Sequence, residues 1–450
     1  MRPYSVRPAA SLKGRVSLPG DKSIACRAVI IGSISKGRVV IENFPLSKDC
    51  LSAINVFRNL GVRIRQKNIH RNKLRRALIT ILAKGLRSLC PSGNAIFCGE
   101  SGTTLRLSLG VLAGQAFKAT LAAGASLSQR PMRRVTGPLR LMGANIQAAK
   151  HKTPAGNREE YPPITIKGGA LKAITYEMPV ASAQVKSAII LAGLYAKGRT
   201  RVIEPVPTRD HTERMLKLFK AGIKTAKGVI TINGGRELVP PKKIYIPGDI
   251  SSAGFFMVLA AILPDAKIRI EKVSLNPSRT GIVRILRRMG ADMRVIRYPP
   301  AAGDFEPMGD IIVRSSNLCG TVVKKEEIPS LIDELPILMV AACFANGKTV
   351  LRCVEELRVK ETDRINSMVT NLAKMGAKIK VVKSAGCEDI VIEGQSLLYG
   401  AKVKSFGDHR TAMSMIIAGL KADGKTALDD ISCIDKSFPD FMDILHSLVR

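Results

Sequence analysis

Apolar residues along this chain form continuous runs that alternate with amphipathic stretches. The longest runs, at residues 252–263 and 336–345, fall short of the roughly 18 residues needed to span a bilayer, so they predict buried helices, and the run at residues 24–34 predicts a helix-like stretch. Several amphipathic stretches end in a glycine and lead into a strand-like segment. Glycine is the usual residue just after a helix. We therefore expect helices to end at these glycines: Gly61, Gly143, Gly222, Gly290 and Gly376.

One supersecondary unit recurs six times. In each copy an apolar helix is followed by a small polar turn and then by a strand. The turns are marked by Gly37, Gly114, Gly198, Asp265, Gly347 and Gly424. Because all six turns recur at similar spacings, we consider it a weak explanation that an α/β chain repeats this pattern by chance. The sequence therefore predicts six βαβαβ-like units, grouped three and three into two α/β domains.

The grouping rests on a duplicated turn, Pro19-Gly20-Asp21 and Pro247-Gly248-Asp249, which joins a strand-like segment to a helix-like stretch in both copies. We expect the chain to cross between the domains at both turns. One domain is then predicted at residues 21–246, and the second at residues 1–20 plus 247–450. A ligand cleft is expected between them, since sites often lie at domain interfaces.

The charge balance is strongly basic, with 71 Lys and Arg against 36 Asp and Glu and a formal net charge of +35. Such a field favours anionic partners, among them nucleic acid, acidic membranes and phosphorylated metabolites. Residues 63–87 contain nine Lys and Arg but no acidic or aromatic residue. Binders of single-stranded nucleic acid usually combine their charge with aromatic stacking platforms. We therefore expect a solvated basic face and no specific nucleic-acid partner.

The nine cysteines are scattered, and no two have CxxC spacing, which is typical of reduced thiols and argues against a zinc site. The five histidines do not cluster with them. No secretory signal pattern and no bilayer-spanning run is visible, so the expected location is the cytoplasm.

Three stretches in the first third have the residue types of an anion site. Lys22, Ser23 and Arg27 lie at a predicted helix start, where backbone N–H groups favour a phosphate or carboxylate. An ordinary capped helix with surface charges is the alternative. Gly102 opens another helix at a turn that lets a ligand approach the backbone. Arg130 precedes a proline and offers a planar donor fork, although a surface turn explains it equally well.

A polar patch interrupts the apolar helix predicted at residues 180–196. Ser182, Gln184 and Lys186 stand at its start. Polar groups in a buried helix need partners, and a polar ligand is one possibility. Exposure to solvent is the alternative, which is realistic for Lys186.

The last third concentrates charged side chains at predicted helix starts. They are Asp333, Lys360, Glu361, Arg364, Arg410 and Lys436. Each group could be a surface salt-bridge cluster of little energetic value. Taken together, they predict a basic pocket with two carboxylates. Such a pocket suits two anionic substrates and general acid–base chemistry.

These stretches together resemble the 5-enolpyruvylshikimate-3-phosphate (EPSP) synthase family, and they follow that family's order over nearly the whole chain. The resemblance is carried by Pro19-Gly20-Asp21-Lys22-Ser23, Gly102-Thr103 with Arg106, Arg130-Pro131-Met132, Ser182-Ala183-Gln184-Val185-Lys186, Ile332-Asp333-Glu334-Leu335-Pro336, Arg358-Val359-Lys360-Glu361-Thr362-Asp363-Arg364, Asp408-His409-Arg410 and Lys436-Ser437-Phe438-Pro439-Asp440. The Ser-Ala-Gln-Val-Lys form is similar to the bacterial variant called class II.

The resemblance implies an α/β fold of two inside-out, barrel-like domains, each of three βαβαββ repeats, with the active site in the interdomain cleft. It implies transfer of the enolpyruvyl group of phosphoenolpyruvate to the 5-hydroxyl of shikimate 3-phosphate, with release of phosphate. This reaction belongs to the shikimate pathway, which leads to chorismate and the aromatic amino acids. No metal and no organic cofactor is expected, and we expect a monomer.

The family's site residues carry over to matching positions of this chain. Shikimate 3-phosphate would be held by Lys22, Ser23, Arg27, Ser182, Ala183, Gln184, Thr208, Arg209, Asp333 and Lys360. Phosphoenolpyruvate would be held by Lys22, Gly102, Arg130, Gln184, Arg364, Arg410 and Lys436. In catalysis, Asp333 would accept the proton of the attacking hydroxyl. Glu361, with help from Lys22 or Lys436, would protonate the methylene carbon.

Two positions and two rival functions qualify this prediction. Glu100 stands where the family usually has Asn, so its carboxylate either turns away from the anion site or weakens phosphoenolpyruvate binding. Gly102 is the residue type associated with glyphosate sensitivity, so we expect inhibition by glyphosate.

The sister enolpyruvyl transferase acting on UDP-N-acetylglucosamine has a reactive loop cysteine, which residues 124–129 lack. A catalytically inactive, nucleic-acid-binding relative is the other alternative.

Overall fold

Short strands and helices alternate along the whole chain in a computed structural model. It describes residues 2–71, 74–152, 158–299, 305–384, 386–394 and 397–449. Two residues of the predicted basic stretch, 72 and 73, lie outside the described residues.

The first half contains three consecutive units, preceded by β1 (Tyr4–Val6) and β2 (Leu12–Ser17). The first unit comprises α1 (Lys22–Ser33), β3 (Lys36–Pro45), α2 (Lys48–Asn59), β4 (Arg63–Arg71) and β5 (Leu74–Lys84). The second comprises β6 (Ile96–Phe97), α3 (Gly102–Leu112), β7 (Lys118–Ala122), α4 (Arg133–Leu141), β8 (Asn145–Lys152) and β9 (Arg158–Lys167). The third comprises β10 (Thr175–Glu177), α5 (Ala183–Gly193), β11 (Arg199–Ile203), α6 (His211–Leu218), β12 (Ile223–Ala226) and β13 (Val229–Asn233), followed by β14 (Lys243–Tyr245).

The second half repeats this plan. The fourth unit comprises α7 (Ile250–Ile262), β15 (Ala266–Ser274), α8 (Gly281–Arg288), β16 (Met293–Arg297) and β17 (Met308–Arg314). The fifth comprises β18 (Val322–Val323), α9 (Leu335–Cys343), β19 (Lys348–Leu351), α10 (Arg364–Lys374), β20 (Lys378–Ser384) and β21 (Cys387–Glu393). The sixth comprises β22 (Lys402–Val403), α11 (His409–Lys421), β23 (Thr426–Leu428) and α12 (Phe441–Leu448). Short 3₁₀ turns lie at Leu127–Gln129, Lys325–Ser330, Glu355–Val359 and Ser432–Lys436.

The sheets share one strand order. In the second unit it is β6-β7-β9-β8, where β6 and β7 are parallel and the other pairs are antiparallel. The third and fifth units have the equivalent orders β10-β11-β13-β12 and β18-β19-β21-β20. A strand, a helix, a parallel strand, a second helix and a hairpin therefore make each of these three units. This confirms the predicted α/β fold of βαβαββ repeats.

Three units receive a strand from elsewhere in the chain. β14 pairs parallel with β3 and completes the first sheet, whereas β2 pairs parallel with β15 and completes the fourth. The sixth sheet has three described strands in the order β1-β23-β22, and β1 pairs antiparallel with β23. The segment before α1 is thus part of the second half's sheets. The domain boundaries at residues 20 and 246 stay predictions.

The two Pro-Gly-Asp turns pair with each other. The Asp21 N–H donates to the Pro247 carbonyl at 2.8 Å, and the Asp249 N–H donates to the Pro19 carbonyl at 3.3 Å. A Cβ atom on Gly20 would lie 2.3 Å from the Asn43 carbonyl oxygen, so this close approach requires glycine.

Two separate hydrophobic cores lie in the two halves of the molecule. Helices α1, α3 and α5 are buried nearly all round in the first, and α7, α9 and α11 in the second. The first core draws on residues 24–246, and the second on residues 6–18 and 250–448 together with Leu74. The apolar runs at residues 252–263 and 336–345 therefore form the predicted buried helices, and the helix-like run at residues 24–34 is buried as well. They are apolar all round because helices or sheets cover every side.

Four of the five predicted glycine terminators are confirmed. Gly61, Gly143, Gly290 and Gly376 follow helix ends with φ between 83° and 107°. The prediction for Gly222 is wrong, because α6 ends earlier and Lys220 takes the left-handed position, at φ 59°. The Lys220 N–H donates to the Lys217 carbonyl, and the Ala221 N–H donates to the Leu216 carbonyl. The helices that end at a glycine have the same pair of hydrogen bonds.

Replacing Lys220 should therefore stabilise the protein. A residue with a Cβ atom costs about 1 kcal/mol or more in the left-handed region, and the Lys220 side chain is exposed. We expect Lys220→Gly to raise the free energy of unfolding in chemical denaturation by up to ~1 kcal/mol. Gly290→Lys is the matched control at the same helix position and should lower it. A lower stability for Lys220→Gly would contradict this account of the helix end.

Candidate active site

The site lies where capped helix starts from both halves of the molecule meet. In the first half, Asp21, Ser101 and Ser182 accept hydrogen bonds from the first turns of α1, α3 and α5. In the second half, Asp363 and Asp408 do the same for α10 and α11. Such caps end the preceding loop and begin the helix at a fixed residue. The residues just after each cap are therefore held in the cleft.

Direct contacts between the halves close the cleft. Arg130 Nη1 lies 3.4 Å from Glu361 Oε1, and Arg134 Nη1 lies 3.3 Å from Glu356 Oε2. Arg209 pairs with Asp333 across the same cleft. Side chains that are more than 100 residues apart in sequence thus form one site.

Asp333 lies among three guanidinium groups. In addition to its pair with Arg209, Asp333 has its Oδ1 3.4 Å from Arg364 Nη1 and 3.8 Å from Arg410 Nε. Burial alone would raise its pKa, but these cations outweigh burial and hold the pKa of Asp333 well below its usual range. Asp333 is therefore ionised in this arrangement.

Glu361 is also surrounded by cations. Its Oε2 lies 2.5 Å from Arg364 Nη2, and its Oε1 faces Arg130. Burial works against ionisation here too, but Arg364 and Arg130 hold the pKa of Glu361 well below its usual range. Both predicted catalytic carboxylates are thus brought together, and both are charged.

Arg364 links these carboxylates. It is 1% exposed, and its Nε lies 2.8 Å from Asp408 Oδ2 while its Nη atoms face Asp333 and Glu361. Burial opposes its charge, but the three carboxylates raise its pKa. Arg410 adds a hydrogen bond from Nη1 to the Asp333 carbonyl at 2.8 Å. The two predicted arginines are therefore in contact with the predicted base.

Lys22 and Lys436 differ in their surroundings. Lys22 Nζ lies 2.9 Å from Asp49 Oδ2 at the start of α2. Burial would lower its pKa, yet Asp49 and Glu361 raise it above the usual lysine value. Lys436 Nζ donates to the Gly407 carbonyl at 3.1 Å. Sequence reasoning missed Asp49, since no motif marks it.

A cavity of about 510 Å³ opens beside Lys436. Both halves line it, with Lys48, Gly99 and Glu100 on one side and Gly407 and Lys436 on the other. The cleft thus keeps an opening next to Lys436.

The predicted shikimate 3-phosphate residues surround the start of α1. Arg27 is buried, and it donates from Nε to Thr212 Oγ1 at 2.7 Å and from Nη2 to Ser187 Oγ at 3.1 Å. Its remaining partner is the Ser23 carbonyl at 3.0 Å. Burial lowers the pKa of Arg27 to about 10, which leaves it protonated at neutral pH. No carboxylate among the described residues is within ion-pair distance of it.

The start of α5 lies against the start of α3. Gln184 accepts a hydrogen bond from Arg106 Nη1 at 2.5 Å and donates to Thr103 Oγ1 at 3.0 Å. Ser182 caps α5, and Ala183 follows it as the first helical residue. A Cβ atom on Gly102 would lie 3.0 Å from Arg106 Nη1. The glycine therefore leaves room beside the arginines.

Lys186 is not exposed, so the solvent alternative is wrong for it. It is 1% exposed, and its Nζ lies 3.0 Å from Glu204 Oε2 and 2.7 Å from Glu213 Oε1. Glu204 in turn accepts from the Thr208 N–H at 3.1 Å and from its hydroxyl. This buried cluster fixes the loop that brings Arg209 to the cleft.

Two further side chains line the site. Lys360 Nζ contacts Glu356 Oε1 at 3.3 Å, and burial lowers the pKa of Lys360. His409 is buried, and neither ring nitrogen has a hydrogen-bond partner among the described residues. Burial, Lys22 and Arg410 hold the pKa of His409 well below its usual range, so the ring is neutral. His409 was quoted in a motif but given no role from sequence.

The Glu100 side chain turns to the backbone of a neighbouring loop. Its Oε2 accepts from the Leu127 N–H at 2.8 Å, and its Oε1 accepts from the Ser126 N–H at 3.4 Å. These contacts favour the first alternative, in which the carboxylate points away from the anion site. Glu100 holds the turn that leads to Arg130.

In the described ranges, no group of three or more His, Cys, Asp or Glu is arranged to hold a metal ion. No helix in the same part of the chain is long and apolar enough to cross a membrane.

The two repeat domains, with cations and ionised carboxylates in the cleft between them, define the enolpyruvyl transferase class. Residues 6–445 match the family model described as EPSP synthase (3-phosphoshikimate 1-carboxyvinyltransferase). The chain therefore belongs to the EPSP synthase family, as its motifs predicted.

Relatives and solved structures agree with this assignment. A 3-phosphoshikimate 1-carboxyvinyltransferase of Thermodesulfovibrio yellowstonii is 45% identical over 446 residues, covering 99% of both chains. One of Citrifermentans bemidjiense is 45% identical over 450 residues, covering 100% of both. The 2.37 Å structure of EPSP synthase from Acinetobacter baumannii is 40% identical with a TM-score of 0.83, covering 100% of this chain and 98% of that one.

The low pKa values of Asp333 and Glu361 predict how the thermal stability of the protein depends on pH. A group whose pKa is lower in the folded state stabilises the fold above its unfolded value, about 4, and loses this effect as pH falls through the folded value. We expect the double variant with Asp333→Asn and Glu361→Gln to have a lower melting temperature than the parent protein at pH 7. The difference should shrink as thermal unfolding is followed from pH 4 to pH 3.

Asp292→Asn, at an exposed carboxylate, is the control and should show no such trend. An unchanged difference between pH 7 and pH 3 would mean that the two carboxylates are not held ionised by their arginines.

Proposed function

We propose that this cleft transfers the enolpyruvyl group of phosphoenolpyruvate to the 5-hydroxyl of shikimate 3-phosphate and releases phosphate. The observation that supports it most is the pair of ionised carboxylates, Asp333 and Glu361, joined by the single buried guanidinium of Arg364. A base and an acid on opposite sides of one cation suit a reaction that removes one proton and adds another.

Shikimate 3-phosphate would bind at the starts of α1 and α5. Arg27 supports this, because it is a buried cation whose direct partners are uncharged oxygens. In this proposal, shikimate 3-phosphate is also contacted by Ser23, Ser182, Ala183, Gln184, Thr208 and Lys360. Arg209 would exchange Asp333 for the substrate phosphate, since guanidinium binds both kinds of anion in the same way.

Phosphoenolpyruvate would bind at the other end of the cleft. Its carboxylate and phosphate would take over the guanidinium faces that Glu361 now occupies on Arg130 and Arg364. The remaining contacts in this proposal come from Lys22, Gly102, Gln184, Arg410 and Lys436. Helix starts in the same place add N–H groups that favour anions.

Substrate binding also explains how an ionised Glu361 becomes an acid. Two bound anions would neutralise the cations that lower its pKa, so the pKa of Glu361 would rise toward the working pH. Lys22, whose amine Asp49 keeps protonated, would be the nearby cation that supports the transfer. The same neutralisation at Arg209 would make Asp333 a better base.

The reaction then proceeds by addition and elimination. Glu361 would give a proton to the methylene carbon of phosphoenolpyruvate as the 5-hydroxyl oxygen bonds to the adjacent carbon and Asp333 takes the hydroxyl proton. In the elimination, Glu361 would take back a proton from the new methyl group, the bond from the adjacent carbon to phosphate would break, and the phosphate would leave with the proton held by Asp333, which restores the double bond. Arg130, Arg364 and Lys436 would stabilise the developing charge on the leaving phosphate.

The rival functions have less support. The relatives of Thermodesulfovibrio yellowstonii and Citrifermentans bemidjiense are named for 3-phosphoshikimate and not for UDP-N-acetylglucosamine. An inactive nucleic-acid binder would have no need of two ionised carboxylates inside a closed cleft. A monomeric state, a cytoplasmic location and the lack of a specific nucleic-acid partner stay predictions from the sequence.

Turnover assays test the proposed roles. We expect phosphate release from phosphoenolpyruvate with shikimate 3-phosphate and none with UDP-N-acetylglucosamine. Asp333→Asn and Glu361→Gln should each lower kcat by about 10²–10⁴-fold, the usual contribution of a positioned acid or base. Asp292→Asn should leave kcat unchanged. Full activity in either cleft variant would exclude the role assigned to that residue.

Glyphosate inhibition tests the phosphoenolpyruvate subsite. We expect glyphosate to compete with phosphoenolpyruvate, because both would use the cations beside Gly102. In Gly102→Ala the new methyl would lie 3.0 Å from Arg106 Nη1 and 3.6 Å from Arg130 Nη1. Crowding of 1–3 kcal/mol should raise the inhibition constant about tenfold or more. Gly137→Ala, where a Cβ atom meets nothing within 4 Å, is the control.

A further inference from the structure

A buried arginine outside the substrate-binding set joins the two halves of the site. Arg279, just before α8, is 2% exposed. Its Nη1 lies 3.2 Å from Asp21 Oδ2, its Nη2 donates to Ser251 Oγ at 2.5 Å, and the same Nη2 lies 3.6 Å from Glu334 Oε1. One guanidinium thus reaches the starts of α1, α7 and α9.

The partners of Arg279 stand next to the proposed site residues. Asp21 precedes Lys22 and Ser23, and its other oxygen caps α1 by accepting from the Ile24 N–H at 2.9 Å. Glu334 follows Asp333 directly and accepts a hydrogen bond from Ser251. The first carboxylate belongs to the end of α1 that would bind both substrates, and the second to the end of α9 beside the proposed base.

Arg279 also balances an excess of buried negative charge. Asp21 and Glu334 are both fully buried, and Asp249 Oδ1 lies 3.7 Å from Arg279 Nη2. The imidazole Nε2 of His211 lies 3.4 Å from Nη1. Removing a cation from such a cluster leaves like charges facing each other in a poorly solvated place. The two helix starts would then move apart.

We propose that Arg279 is a positioning residue for the transfer reaction. By holding Asp21 and Glu334 on one guanidinium, it sets the distance between Lys22 and Ser23 on one side of the cleft and Asp333 on the other. This inference rests on the proposed roles of those three residues. Arg279 itself touches no group that we expect to contact a substrate.

The shape of the guanidinium matters as well as its charge. Separate nitrogens of Arg279 face Asp21 and Ser251, whereas its Nε and Glu334 Oε2 are buried without a hydrogen-bond partner among the described residues. A lysine amine keeps the charge but lacks the planar fork. Arg279→Lys should therefore restore part of what Arg279→Met loses.

The test measures kcat and the KM of each substrate in Arg279→Met and Arg279→Lys. Displacement of reacting groups by about 1 Å costs about 10²-fold in rate, so we expect a 10²-fold lower kcat and a raised KM for shikimate 3-phosphate in Arg279→Met. Arg279→Lys should lie between that variant and the parent.

Asp310→Asn is the matched control. Asp310 is 1% exposed in the same half of the molecule, and it accepts from Arg269 Nε at 2.8 Å and from the Lys272 N–H at 3.0 Å, neither of which is a proposed site residue. We expect this variant to lose thermal stability and to keep kcat and both KM values within twofold. An equal loss of kcat in Asp310→Asn would reduce the effect of Arg279 to general destabilisation and overturn the proposal.

A double-mutant cycle covers the case in which Arg279→Met does not fold. Arg279→Lys and Asp21→Asn act on one contact, so their effects on kcat/KM should be strongly non-additive. Additive effects, or parental kinetics in a folded Arg279→Met, would overturn the proposal. Full turnover in Lys22→Met and Asp333→Asn would instead show that the proposed site roles are wrong, whatever the Arg279 variants do.

Discussion

Two backbone hydrogen bonds between the Pro-Gly-Asp turns fix how the halves of this molecule face each other. Each Asp N–H donates to the carbonyl of the opposite proline, so the chain crosses twice at one point. Because each turn also begins a buried helix, α1 and α7 start side by side there. The other helix starts follow from the repeat, since each unit places its buried helix in the same orientation. A cleft lined by helix N-termini from both halves is the result, and it favours anions before any side chain is considered.

Within the cleft, charge is balanced rather than simply positive. Arg364, Arg130 and Arg209 have carboxylate partners across or beside the cleft, whereas Arg27 has uncharged ones. The paired cations keep Asp333 and Glu361 ionised until substrates compete for the same guanidinium faces. In the proposed reaction, substrate binding and activation of the acid and base would therefore be one event, because the anions that bind would also remove the field that lowers the carboxylate pKa values.

The fold was largely predictable from sequence, because apolar helices, glycine terminators and the duplicated turn are local signals. The motifs predicted a set of charged residues that the fold does bring together, although their substrate and catalytic roles stay predictions, and their pairing was not predictable. That Lys22 contacts Asp49, or that Lys186 is buried against Glu204 and Glu213, depends on segments that only the fold brings together. The missed helix end at Lys220 has a local cause. Lys220, which is not a glycine, takes the left-handed position there. The prediction placed the helix end at the nearest glycine, Gly222, two residues later.

The strands that precede α1 have a consequence for how the chain is made. β2 is synthesised before its partner β15, which begins about 250 residues later, on the order of ten to fifty seconds at ribosomal speed. β1 waits still longer for β23, close to the end of the chain. The first domain can therefore be complete while the leading strands remain unpaired beside it. Unpaired strand edges invite association with other chains, so the time before the last unit emerges is when this protein most needs protection.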